Sequence, residues 1–464
     1  MDTPLQILTS SQGNRGKGVE DHPSALKYDF HDPAFYNNPY PYYRRMRQED
    51  PLWHNPISGH WVVTRYHDVM EILRSPQCSN YRLDELMRRV PDNRNDEAAS
   101  LRAALKDRLL FLEGEGHLRI RKLVMHAFAS DSIQRQKPLV AEVVEDVLDH
   151  LDPSSPVDLV ANVTNLIPGR VILHILGFPE EKQREMKEWT DDVYAWLGTA
   201  SGTIEERTEG AVEAVQRLTE AIRSEVTRVR QSPRSDVLTA LVQAEDEGHQ
   251  LTDDELVANV IGLINAGQET TTCLLANGML ALFTHPEERD RLRAQPGLWE
   301  MAIDEFLRYE SPAQFVARRV ESPITICGFT LDRGAFVSLG LGAANRDPAV
   351  FTNPDRLDIG RKEGRILAFG FGPHFCVGSA LAHLEASVFF HEIETRYPKL
   401  QLAVSPAKIE WRHTVSFRSP LILPVVTRER PRGSQSYSTL SRKDTLLYVI
   451  WSLVVLPLIR YGNL

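Results

Sequence analysis

Phe369-Gly370-Phe371-Gly372-Pro373-His374-Phe375-Cys376-Val377-Gly378 is the stretch that decides how this chain is read. Two glycines and a proline ahead of the cysteine describe a tight, bulged turn that residues with a Cβ follow poorly. Behind it, Ser379 to His391 has the composition of a helix. The Cys376 sulfur then lies at a positive helix N-terminus, facing backbone N–H groups, a setting that favours thiolate over thiol. Such a sulfur is a metal ligand.

The Phe, Gly, His, Cys and Gly of this stretch, at this spacing, resemble the haem-thiolate monooxygenases of the cytochrome P-450 superfamily, most closely the soluble bacterial members. The resemblance runs from about Asp29 to Val426. It implies a mainly α fold with a minor β-sheet region. Haem b would lie between a long central helix and the helix of the cysteine loop. Cys376 would be the iron ligand, with Phe369, Gly370 and Gly378 shaping the loop. Gly378 leaves room for a flat macrocycle to approach the backbone, and His374 is placed to hydrogen-bond a haem carboxylate.

The segment Asp253–Thr284 reads as one long helix, opened by Thr252 as N-cap with Glu255 three residues on and closed before Pro286. In its middle stands Ala266-Gly267-Gln268-Glu269-Thr270-Thr271. Ala266 and Gly267 carry little bulk, so that face can lie against a cofactor. Thr270 can bond back to the Ala266 carbonyl and open the helix locally. Glu269 and Thr270 together form an acid–alcohol pair suited to delivering protons while bulk water is excluded.

Glu305-x-x-Arg308 lies on a helix from Met301 to Tyr309. By the resemblance this pair is buried and joined by a later arginine, for which Arg356 in Asn353-Pro354-Asp355-Arg356-Leu357 is the match; relatives commonly carry Phe where Leu357 stands. Haem carries two propionates, and buried carboxylates require charged donors. His117 and Arg121 share one helical face at i,i+4. Arg318 resembles the family's additional propionate arginine, and His374 completes the set.

The chain has 464 residues and a formal net charge of −10, which speaks against a nucleic-acid binder. Its four cysteines (Cys78, Cys273, Cys327, Cys376) lack CxxC spacing, so neither a disulfide framework nor a zinc site is expected, and a reducing cytoplasm fits. Residues 1–25 read as a polar, disordered extension, 26–426 as one haem-thiolate domain, 427–445 as a polar basic linker and 446–464 as a short apolar tail. The apolar run Leu446–Ile459 falls short of the about 20 residues a spanning helix needs, which leaves two readings: peripheral membrane contact, or a dispensable extension that packs on the body or frays. No cysteine cluster or appended βαβ pattern follows the main domain, so electrons are expected from a separate ferredoxin or flavodoxin and its reductase. Arg119 and Lys122 are candidates for the docking patch.

By family position, Phe111, Leu112, Trp196, Leu263, Phe315, Val316 and Phe417 would line an apolar substrate pocket. The expected reaction uses dioxygen to hydroxylate or otherwise oxidise an apolar small molecule of fatty acyl, terpene, steroid or polyketide type. A peroxide-driven oxygenase and a non-catalytic haem-thiolate sensor are the rival readings. Both are disfavoured by the presence of Glu269 and Thr270.

Overall fold

In the computed structural model, residues 27–91, 93–197 and 203–427 are described. The expected N-terminal extension and all but the first residue of the linker and tail lie outside them. No described helix is long and apolar enough to cross a membrane.

The architecture is helix-dominated with a minor β component, as the sequence predicts, and that component forms three small sheets among the described residues. Its axis is the helix Asp253–Thr284. The capping box forms as read: Thr252 Oγ1 accepts from Glu255 N at 3.2 Å, and Thr252 N donates to Glu255 Oε2 at 2.9 Å. This helix has no polar face along its second half, and Thr271 to Leu282 are all buried, so it must run through the protein rather than along its surface. Two glycines let neighbours close on it. A Cβ on Gly267 would stand 3.3 Å from Ile172 of the helix Ile167–Ile175, and one on Gly278 would overlap Phe390 of the helix Ser379–Arg396 at 2.3 Å.

The largest sheet has five strands, in the order Leu52–His54, Trp61–Val63, Phe336–Gly340, Phe315–Val320 and Cys78–Ser79. Trp61–Val63 runs parallel to Phe336–Gly340, with Val63 opposite Leu339, and the other pairings are antiparallel. Alternation buries Val337 and Leu339 on one face. Ile324–Ile326 pairs with Phe329–Leu331 as a separate hairpin, and Pro424–Val426 closes a third sheet with Val157–Asp158. Element ends shift slightly from the sequence reading: the helix after the cysteine continues to Arg396, and the helix of Glu305 begins at Trp299.

Candidate active site

The cysteine loop is shaped as its glycines require. Gly370 and Gly372 take φ of 71° and 76°, the left-handed region that residues with a Cβ rarely adopt. Gly372 also has no room for a side chain, since a Cβ there would lie 2.8 Å from the Leu73 carbonyl oxygen. Cys376 N donates to Phe369 O at 3.0 Å and closes the loop. Beside the sulfur the space is open: a Cβ on Gly378 would meet nothing nearer than Cys376 Sγ at 3.9 Å.

Burial pushes the Cys376 thiol up, against the Gly378 N–H and the Arg121 charge, which pull it down. The helix terminus alone therefore does not produce the thiolate expected from sequence. A bound cation would, because a coordinating thiol is deprotonated outright. Arg121 stands close enough to His117 for its charge to act on it, as read from sequence, and its Nη2 also donates to the Phe375 carbonyl at 2.6 Å, bracing the cysteine loop.

Beside the loop is a basic rim. The rings of His117 and His374 lie 4.2 Å apart, centroid to centroid. His117 is 2% exposed with Nε2 unpartnered, and burial, with His374 and Arg121, pushes it down to about 4. Arg318, on the strand Phe315–Val320, and Arg82 both donate to Asn80 Oδ1, at 3.0 and 2.9 Å. Burial and the Arg82 charge push Arg318 down to about 10. Glu113 is the acid among them. Burial would raise it, but His374 at 3.3 Å and the Asn80 N–H hold it at about 2. Two arginines sharing one neutral amide oxygen, beside a buried unpartnered imidazole, form a rim short of negative charge. A planar group with two carboxylates fits that donor set. Sequence reasoning missed Arg82, Asn80 and Glu113, which stand in no motif.

On the central helix, Ala266 is exposed at mid-length, between the buried Asn265 and Gln268. Gly267 does not share that face. Its missing side chain admits Ile172, so its smallness serves helix packing rather than a cofactor. Thr270 Oγ1 donates to the Ala266 carbonyl at 3.1 Å. Glu269 turns away from Thr270, as adjacent helical residues do, and forms an ion pair with Arg412 from a late loop. The acid and the alcohol are thus not directly bonded, and the arginine on the acid had no sequence signal.

Glu305 and Arg308 are buried at 2% and 1% exposure and joined by two bonds of 2.7 and 2.8 Å. Arg356 is not the third member. Asn353 at φ 47° turns the chain so that Arg356 points to solvent, and only its backbone carbonyl reaches Arg308, at 3.2 Å. The third member is Arg361, whose Nε lies 3.2 Å from Glu305 Oε2. Trp196 is likewise corrected. It is fully buried in the helix pair Glu180–Leu197 and Ile204–Gln231, its indole N–H donating to Thr208 Oγ1 at 3.2 Å, so it is core and not pocket wall. Phe111 is also buried, under Arg82. Phe315 packs on Phe30 and Tyr43, while Phe417 meets Tyr194. Leu112, Leu263 and Val316 are partly buried.

A helical body, a glycine-shaped thiol loop and a charge-deficient basic rim define a protein built to hold a flat, doubly anionic metal cofactor. The chain belongs to the cytochrome P450 family, whose profile, described as "Cytochrome P450", matches residues 85–295 and 297–402. It is 32% identical over 413 residues to "Polyketide biosynthesis cytochrome P450 PksS" of Bacillus subtilis (strain 168), covering 86% of this chain and 98% of that one. It is 33% identical over 426 residues to "Vitamin D(3) 25-hydroxylase" of Pseudonocardia autotrophica, covering 89% and 98%. The solved structure of P450BioI in complex with hexadec-9Z-enoic acid ligated acyl carrier protein superposes with a TM-score of 0.77 at 31% identity, over 85% of this chain and 99% of that one. The chain is an oxidoreductase, a P450 monooxygenase with a haem-thiolate cofactor.

Proposed function

We propose that this monooxygenase binds haem b through Cys376, draws electrons from a separate redox protein and oxidises a small molecule with an apolar body. The carrying observation is the pairing of an open space beside Cys376 Sγ with the basic rim of His117, His374, Arg82 and Arg318. Relatives named for a polyketide pathway and for vitamin D(3) support a bulky apolar substrate class.

The rim residues would hold the two carboxylates of the cofactor, and Glu113 keeps His374 oriented. When bound, haem ligated by thiolate supplies dioxygen activation and C–H oxidation. Thr270 holds its hydroxyl against the Ala266 carbonyl, where it can hand a proton onward. Glu269 takes protons from the solvent side once its pair with Arg412 opens.

For the redox partner, the patch read from sequence is largely spent: Arg119 pairs with Glu255, and Lys122 lies 3.0 Å from Asp246. Arg74 and Arg365 are exposed beside the cysteine loop and carry no acid partner among the described residues, so they are the better docking charges for an acidic ferredoxin or flavodoxin. The test is the reduced, carbon monoxide-treated holoprotein. It should show the long-wavelength Soret band of a thiolate-ligated haem, and Cys376→Ser should abolish it. An unchanged spectrum in that variant refutes the reading.

A further inference from the structure

Arg108 is a buried cation that the haem site does not use. It is 3% exposed, and neither Nε nor Nη2 has a hydrogen-bond partner. Most other arginines buried to a similar degree are matched by a carboxylate, Arg289 by Glu394, Arg308 by Glu305, Arg346 by Asp355 and Arg418 by Glu310, while Arg47 donates to the Ala343 carbonyl and Arg318 to Asn80 Oδ1. Arg108 has no ion pair among the described residues. Burial alone pushes it down to about 9, with no acid offsetting the shift.

Its position is fixed by the backbone around it. Asn259, on the central helix, accepts from Leu109 N at 2.8 Å and donates to the Asp107 carbonyl at 2.9 Å, stapling the segment to that helix on both sides of Arg108. One turn further along, the arginine stem lies over Gly262: a Cβ there would stand 3.8 Å from Arg108 Cγ and Cδ. Gly262, Ala266 and Thr270 follow at i, i+4 and i+8 and share a face. The arginine stem thus lies against the face that carries the reaction chemistry, where Ala266 is about 6 Å and Thr270 about 12 Å further along the axis than Gly262. A guanidinium deprived of both water and counter-charge is costly, and an incoming anion relieves that cost. Nε and Nη2 form one edge of the guanidinium fork, the edge that a planar carboxylate meets with two parallel bonds.

We propose that Arg108 anchors a carboxylate on the substrate, so that this enzyme takes carboxylic acids with an apolar body and oxidises them several carbons from the acid group. This rests on the monooxygenase reading above and adds the chemical class of the ligand.

Purified holoenzyme is titrated at neutral pH with dodecanoic acid and its methyl ester, and with deoxycholic acid and its methyl ester, following the haem spin-state shift. The two pairs separate a linear acid from a polycyclic one. At least one acid should bind tighter than its ester by about ten-fold or more, the scale of hydrogen bonds to a charged group. Arg108→Gln should bring acid and ester together, and Arg108→Lys should keep part of the preference. Equal binding of acid and ester in both pairs, or a preference that survives Arg108→Gln, overturns the proposal. So does a lowered haem content in Arg108→Gln with the acid preference unchanged in the haem-loaded fraction, which would make Arg108 a cofactor ligand. The carbon monoxide spectrum of the same wild-type sample tells this failure from failure of the monooxygenase reading, and circular dichroism confirms that each variant is folded.

Discussion

Arg361→Ala and Arg356→Ala separate two arrangements of the buried ion cluster. In the structure Glu305, at 2% exposure, accepts from both Arg308 and Arg361, and Arg361 also donates to the Thr352 carbonyl at 2.7 Å. Breaking a buried pair costs about 3–5 kcal/mol when an uncompensated charge is left behind. Here Arg308 and the Asp358 N–H, 2.8 Å from Glu305, remain, so the loss falls to about 2–3 kcal/mol, the scale of hydrogen bonds to a charged group. Arg356 is exposed and supplies only its carbonyl, which alanine retains, so its substitution should stay within about 0.5 kcal/mol. With a urea slope of about 2–3 kcal/mol/M, Arg361→Ala should lower the unfolding midpoint by about 1 M and Arg356→Ala should leave it in place. Unfolding is followed by far-ultraviolet circular dichroism and by haem release. A larger loss in Arg356→Ala than in Arg361→Ala would refute the assignment.

The remaining predictions concern the proton path and acid stability. Arg412→Gln removes the cation paired with Glu269; we expect turnover to fall about ten-fold, a fraction of the 10²–10⁴ that positioned proton transfer supplies, with more reducing equivalents lost as hydrogen peroxide. The reduced carbon monoxide spectrum should be unchanged, and unaltered coupling between electron consumption and product would count against Arg412 as a positioning residue. Acid should weaken the apoprotein in two stages. His117, held at about 4, is less basic folded than unfolded, so its contribution is present above the ordinary histidine range and fades as pH falls from about 6.5 to 4. Glu113, held at about 2, adds stability that is present above the ordinary glutamate range and fades as pH falls from about 4.5 to 2. Thermal melts of His117→Gln and Glu113→Gln across pH 3–8 should flatten the upper and lower stages respectively, and parallel curves in all three proteins would contradict both.

What the sequence disclosed and what it hid follow from where the signal resides. The central helix and the cysteine loop are local: a capping box, a run of apolar residues on all faces and two glycines forced to positive φ are each written in consecutive positions. Glu305 and Arg308 are local as well, one helical turn apart. Arg356 and Arg361 cannot be told apart that way. Both follow the same loop, and the choice depends on how Asn353 turns the chain and which side chain then returns to Glu305. Arg108 and Arg412 are hidden for the same reason, since each meets a segment far away in sequence, and Arg82 because its partner Asn80 gains its role only from Arg318, brought in from a distant strand. Trp196 shows the converse error, because a large aromatic at a pocket-like position is equally a core residue, and its bond to Thr208 decides between the two. Charge placement is therefore where structure adds most here. The fold needs Arg308 and Arg361 neutralised inside the protein, whereas Arg82, Arg318 and Arg108 are left short of acids. Such a deficit is tolerated where an anionic ligand will meet it, and here it falls at the rim beside the cysteine loop and at the arginine packed on the central helix.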